Sequence, residues 1–321
     1  MTVAPQDLKP RALVSGASFN RGDRVFNRVI TLAAFTALFV LAGITVFLGY
    51  QFIPVVQEQG LFFFTGSAWD PAAGRYGIWA MVYGSILLSV IALIVAVPAS
   101  LLLSIFMVFL APRRVSAVLT NLVDLMAAIP SIILGLWGFW VFQQVAADWS
   151  ELLNRYFGWI PLFQNSSGNF TGTPFIAGLV LAVMMIPITT SVTREVMART
   201  PPELINAAES LGCSLYSMLR HVALPFGRGG LIGGVMLGLG RALGETVAVF
   251  FVIKLVFDVN LFRILESEGG SVASMIVAKF GEANEQELQV LLAAGFVLFV
   301  GTLIVNLIAN AIVGRTGRLS S

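Results

Sequence analysis

Long apolar runs separated by short polar, charged joints set the pattern of this 321-residue chain. A helix needs roughly 20 apolar residues to cross the hydrocarbon of a bilayer. Six segments reach that length: 29–52, 77–111, 115–146, 175–192, 231–253 and 288–313. The third holds one charge, Asp124, and the fifth holds two, Arg241 and Glu245. The pattern predicts an all-α integral membrane protein of six transmembrane helices. The second run is long for one crossing, so a tilted or kinked helix is expected there, with Pro98 as the kink. Pro130 is expected to kink the third helix, and Pro187 lies inside the fourth. An alternative count splits the second run at Pro98 and reverses the sidedness of everything downstream.

Loop charge decides between the counts. With six crossings, one side collects the N-terminal tail, Arg113 and Arg114, the joint from Arg194 to Arg228, and Arg315 with Arg318, thirteen Lys and Arg together; the other side has five. The bias of Lys and Arg toward the cytoplasm places both termini there, and the split count would mix the two groups. The opposite side carries ten acidic residues. Trp69, Trp79 and Trp159 fall near the predicted outer span ends, where indole rings settle. The expected organisation is a basic cytoplasmic tail (1–28), a first helix with its external loop (29–76), a membrane core (77–314) and a short cytoplasmic tail (315–321). Residues are 57% hydrophobic and 11% charged, against about 25% charged in soluble domains.

Several chemistries are excluded. Cys213 and His221 are the only cysteine and histidine, so an internal disulfide, a Cys- or His-based metal site and a His-based triad are ruled out. No cleavable leader is expected, because the first 28 residues are polar and basic and the first apolar run is too long for one. No GxxxxGK[ST] loop exists to cradle a nucleotide. Nothing points to a nucleic-acid partner.

The joint PPELINAAESLGCSLYSMLRHVALPFGRGG, residues 201–230, is more ordered than a connector. Pro201 and Pro202 suit a first helical turn, and Glu203 complements the helix dipole there. Leu204, Ala207, Ala208 and Leu211 form a stripe at helical spacing, Gly212 ends or bends that helix, and a second short helix over 214–222 is expected to stop at Pro225. Two short amphipathic helices can lie on the membrane surface or fill a groove in another protein.

Within the fifth run stands LGLGRALGETVAVFF, residues 237–251. A charge at the bilayer centre costs about 2.5–3.5 kcal/mol on insertion scales. At i and i+4, Arg241 and Glu245 share a helix face and partly neutralise each other. Gly234 and Gly238 continue that face, and Gly240 with Gly244 makes a GxxxG on an adjoining one, where a second helix is expected to approach. One reading is a self-neutralised pair that locks helices together. The other is a translocation path, with Arg241 offering its planar fork to a tetrahedral oxyanion and Glu245 orienting it. Asp124 and Pro130 are secondary candidates for path or gating; Asp124 is expected to meet a structural partner or a wet cavity before it meets substrate. Arg194 and Glu195 are expected to anchor the cytoplasmic end of the fourth span.

Asn206-Ala207-Ala208, then Gly212, then Val222-x-Leu224-Pro225, resembles the EAA loop of ABC importer permeases. GGVMLGLGRALGETVAV (233–249) and DLMAAIPSIILGLWG (124–138) resemble the permeases of bacterial phosphate importers of that class, a likeness that runs from about residue 62 onward. The resemblance implies a type I ABC importer permease fold in the bacterial cytoplasmic membrane. It implies that the positions of Arg241 and Glu245 are needed for phosphate transport. Glu203, Asn206, Ala207, Ala208, Glu209, Gly212, Leu224 and Pro225 would belong to the loop that docks on an ATPase. The implied partners are a homologous second permease, an ATPase dimer holding ATP and Mg, an extracytoplasmic phosphate-binding protein, inorganic phosphate and membrane lipid. Asn206 departs from the family's usual glutamate, and Glu203 or Glu209 is the substitute at hand. The alternatives are a stand-alone anion channel or exchanger, an importer of a related oxyanion such as sulfate, molybdate or phosphonate, and an intramembrane phosphotransferase, for which the charged residues are too few.

Overall fold

The computed structural model describes residues 21–259 and 262–317, without the side chains of 21, 309, 310 and 312–317. Residues 1–20 of the expected N-terminal tail and 318–321 of the C-terminal tail lie outside the described residues. The first helix, α1 (Arg21–Gln59), opens at Arg21 rather than at Val29, so Arg24 and Arg28 ride on it, and Asp23 complements the dipole of its first turn. The chain divides into two units between Phe47 and Leu48. Side chains 22–44 of α1 are exposed on every face. Phe35, Phe39 and Leu41 among them suit lipid as their solvent.

The second unit begins with the end of α1. A one-turn helix, α2 (Phe62–Thr65), precedes a hairpin of β1 (Trp69–Asp70) and β2 (Arg75–Tyr76). Gln59 braces the hairpin: its Nε2 donates to the Gly74 carbonyl at 2.7 Å and its Oε1 accepts from the Tyr76 amide at 3.1 Å. Phe63, Tyr76 and Ile78 are fully buried against Met81, Met275 and Leu291. This cluster joins the end of α1 to α3 (Trp79–Ile105), α12 (Val272–Phe280) and α13 (Glu285–Gly317).

α3 stays α-helical through Pro98, and a wide π-type turn follows at Phe106–Leu110. α4 (Arg113–Ala128) is followed by α5 (Ser131–Trp137), a wide turn at Gly138–Phe142 and α6 (Gln143–Phe157). Here Pro130 breaks the helix outright. Ile129 is extended, because a residue before proline is pushed out of the helical region, and the two halves meet at 94°. α7 (Pro174–Ala198) starts at a Thr173 cap whose Oγ1 accepts from the Ile176 amide at 3.3 Å. After α8 (Pro202–Ser210), α9 (Leu215–Met218) runs through a wide turn at Leu219–Ala223 straight into α10 (Leu224–Gly244). Pro225 therefore does not stop the second loop helix. In the wide turn the Leu224 amide reaches back five residues to the Leu219 carbonyl, and the shifted hydrogen bonding accommodates the donor that proline lacks. α11 (Val247–Val252) follows a short break. Among the described residues five helical stretches are long and apolar enough to cross a membrane, or six if the bent α4–α6 segment is counted as one span.

α3, α7 and α10 form the heart of the bundle, and small residues bring them together. A Cβ on Gly178 would lie 2.5 Å from Ile91 Cγ2; on Gly230, 2.4 Å from Val196 Cβ; on Gly234, 2.9 Å from the Thr189 carbonyl; and on Gly238, 2.9 Å from Thr189 Oγ1. The last three recur every four residues, so one glycine face of α10 is seated on α7. Among the described residues no second helix approaches Gly240 or Gly244: a Cβ on either meets nothing within 4 Å. Buried hydroxyls fasten the same helices. Ser104 Oγ donates to the Thr190 carbonyl at 3.2 Å, and Thr189 Oγ1 to the Gly234 carbonyl at 3.2 Å.

At the acidic end, buried Glu266 ties two loops together by accepting the amides of Ser166 at 2.8 Å and Ser167 at 3.1 Å. Burial raises its carboxyl pKa, but the hydrogen bonds from Ser166 and Ser167 with the Arg263 charge outweigh it and leave the pKa below the ordinary glutamate value. A lowered folded pKa contributes stability that is present above the unfolded value of about 4.3 and is lost as pH falls through the folded one. The thermal midpoint of the solubilised protein is expected to exceed that of Glu266→Gln at neutral pH, with the gap closing below about pH 4.3; a gap independent of pH would contradict this.

Candidate functional site

The charged stretch does not sit on one helix. α10 ends at Gly244, Glu245 is extended, and α11 restarts at Val247. Arg241 is in the last turn of α10, where the carbonyl end of the helix favours a cation. Glu245 is 7% exposed, and its Oε1 accepts from the Ala248 amide at 3.2 Å. It satisfies a free amide of the restarted helix, as a capping carboxylate does. The i,i+4 face expected of Arg241 and Glu245 therefore does not form, and no ion pair joins them, because the helix that would align them is interrupted at Glu245. Half-buried Arg241 has no hydrogen-bond or ion-pair partner among the described residues. It presents five N–H donors and no acceptor.

The short helix after the Glu245 break, α11, packs on the short helix after the Pro130 break, α5. A Cβ on Gly135 of α5 would lie 2.8 Å from Ala248 Cα of α11, and one on Gly138 would lie 2.9 Å from Val252 Cγ2. Two interrupted spans thus meet through their short halves. Irregular backbone at membrane depth is tolerated where protein or a water-lined cavity surrounds it. Such discontinuous helices commonly border transport sites.

Asp124 is exposed on α4, one turn before the Pro130 break, and has no partner among the described residues. Arg194 and Glu195, at the end of α7, point different ways. Arg194 turns inward from α7, its Nη1 donating to Thr120 Oγ1 of α4 at 2.8 Å, whereas Glu195 pairs with Arg199 at the surface. Arg194 thereby bridges α7 to the first half of the broken third span, a link that sequence spacing does not reveal.

The polar joint forms a compact helical corner. Gly212 has φ +75°, its amide bonds the Glu209 carbonyl at 2.9 Å, and the Cys213 amide bonds the Ala208 carbonyl at 3.1 Å. This pair is the Schellman closure, and it needs a residue tolerant of the left-handed region. The apolar stripe divides in two. Ala208 is buried on Met218 and Ala223 with Phe109 against them, while Leu204, Ala207 and Leu211 are exposed, as is Tyr216. Glu203, Asn206, Glu209 and Pro225 are exposed, and Leu224 is half-buried.

The overall fold is similar to that of known transport proteins. Residues 96–318 match the family of binding-protein-dependent transport system inner membrane components. The chain is 37% identical over 300 residues to phosphate transport system permease protein PstC 2 of Mycobacterium tuberculosis, covering 92% of each. It is 37% identical over 304 residues to phosphate transport system permease protein PstC of Xylella fastidiosa, covering 93% of this chain and 92% of the relative. Among solved structures, a bacterial alginate ABC transporter superposes with TM-score 0.59 at 15% identity, over 92% of this chain and 95% of the other. The methionine ABC transporter MetNI in an inward-facing conformation superposes with TM-score 0.52 at 16% identity, over 75% and 94%.

The chain belongs to the family of binding-protein-dependent transport inner membrane components. It is a multi-pass inner-membrane permease with the fold of ABC importer permeases.

Proposed function

We propose that the chain is the permease subunit of an ATP-driven importer of inorganic phosphate and forms half of the translocation path. The observation that carries this reading is Arg241: a half-buried guanidinium with no acceptor among the described residues, in the last helical turn before the break of an interrupted span. The relatives named as phosphate transport permeases support it. A guanidinium donates two parallel hydrogen bonds to a tetrahedral oxyanion. Transient rather than tight contact allows release. Glu245 acts through the backbone, holding the break open so that Arg241 ends one helix instead of continuing inside it.

A homologous second permease supplies the other half of the path. Amphipathic α4 fits such an interface, exposing Val118, Leu122 and Leu125 beside Asp124. The basic end is cytoplasmic. There the outward stripe of Leu204, Ala207 and Leu211, with Glu203, Asn206 and Glu209 around it, docks on an ATPase dimer that holds ATP and Mg. Leu224 and Pro225 carry that contact into α10 and so to Arg241. An extracytoplasmic phosphate-binding protein delivers the anion to the acidic end.

Labelled phosphate uptake into proteoliposomes holding this chain with its second permease, ATPase and binding protein tests the reading. Uptake that requires internal ATP and resists excess sulfate is expected. Uptake without ATP would replace this reading with a channel or exchanger, and sulfate competition would replace phosphate with a broader oxyanion substrate.

A further inference from the structure

α6 carries three separate stripes along one amphipathic helix. Ala146, Ser150 and Leu153 turn toward the protein, with Ala146 and Ser150 fully buried. Gln144, Asp148, Glu151 and Arg155 recur at i, i+4, i+7 and i+11 and are all exposed. Offset from them by one residue, Val145, Trp149, Leu152 and Tyr156 recur at the same spacing and are also exposed, Trp149 at 47% and Tyr156 at 65%. A helix in water does not leave such an apolar stripe open, and one in hydrocarbon does not leave such a polar stripe open. Trp159, 80% exposed, lies just beyond its end.

We infer that α6 lies in the plane of the outer membrane–water interface, with the Trp149 stripe in the boundary between headgroups and acyl chains and the Asp148 stripe in water. Helices with separate apolar and charged faces settle at that depth, and indole and phenol rings favour it. The protein side is fixed independently: Asn154 Nδ2 donates to the Phe163 carbonyl at 2.8 Å, and Gln143 Oε1 accepts from the Gly172 amide at 3.2 Å. These contacts set the roll of the helix about its axis, so the two exposed stripes cannot exchange places. Through the wide turn at Gly138–Phe142, α6 continues into α5, which abuts α11. The lipid surface thereby holds the outer end of the interrupted third span.

The inference rests on the membrane reading of the fold and is independent of which anion is carried. It is tested with single cysteines at positions 144–156 of the assembled complex in lipid nanodiscs, on a Cys213→Ser background, each spin-labelled and read for collisional broadening by oxygen and by a water-soluble nickel chelate. Oxygen access should peak at 145, 149, 152 and 156 and nickel access at 144, 148, 151 and 155, out of phase with a repeat of about 3.6 residues. Nickel access equal on both stripes would overturn the inference by placing α6 in water. Apolar positions closed to both reagents would overturn it by placing another subunit on that stripe. A variant that fails to assemble is replaced by its neighbour one turn away on the same stripe, so the phase of the repeat is still read.

Discussion

Gly234→Leu is expected to destroy the packing of the permease, whereas Gly240→Leu, six residues further along the same helix, leaves its stability in place. A Cβ on Gly234 would stand 2.9 Å from the Thr189 carbonyl and 3.2 Å from Thr189 Cα, both backbone atoms of α7 that cannot swing aside. Overpacking of this kind costs about 1–3 kcal/mol where side chains can yield, and more where only backbone can move. The displacement also strips the Thr189 hydroxyl of its acceptor on Gly234, leaving a buried polar group unpaired at about 1–3 kcal/mol. Both effects fall on the contact between α10 and α7, the helices that carry Arg241 and Arg194. Thermal unfolding in detergent reads the outcome: a large drop in midpoint, or no recoverable subunit, for Gly234→Leu, and an unchanged midpoint for Gly240→Leu, whose Cβ meets nothing within 4 Å. Equal behaviour of the two variants would mean that the glycine face of α10 is not where the bundle is closed.

The spans themselves were legible in the sequence because an apolar run of sufficient length admits one physical solution in a bilayer. The interruptions within them were not. Pro98, Pro130 and Pro187 all stand in apolar runs, yet α3 and α7 continue through theirs and only Pro130 ends a helix. Hydropathy cannot separate these cases, because the difference lies in what packs against the freed backbone. At Pro130 the restarted half α5 gains a close seat on Ala248 through Gly135. The break at Glu245 was hidden by the same limit. Reading Arg241 and Glu245 as an i,i+4 pair assumes an unbroken helix, and the tertiary contact of α11 with α5 overrides that local assumption. Two GxxxG registers were visible on α10, and nothing in the spacing said which one meets a helix. Gly212, in contrast, was legible because a left-handed helix stop has a residue preference of its own.

With Glu245 engaged by the Ala248 amide, Arg241 has no hydrogen-bond or ion-pair partner among the described residues. Its proposed role therefore separates cleanly from structure. Gln keeps length and hydrogen-bonding capacity but loses the charge, and Lys keeps the charge but loses the planar fork. A charge-assisted hydrogen bond is worth about 1.5–3 kcal/mol, which is roughly a ten- to hundredfold change in rate. Lys is expected to retain part of the uptake that Gln loses.

ATP-dependent phosphate uptake by the assembled complex, compared between wild type and Arg241→Gln in the same proteoliposome preparation, is the most direct test. The expected result is a loss of uptake of roughly ten- to hundredfold with unchanged subunit assembly and thermal midpoint, because no hydrogen bond or ion pair among the described residues depends on the guanidinium. Full uptake by Arg241→Gln would contradict it, and would leave the arginine in the last helical turn before the break without a part in moving the anion.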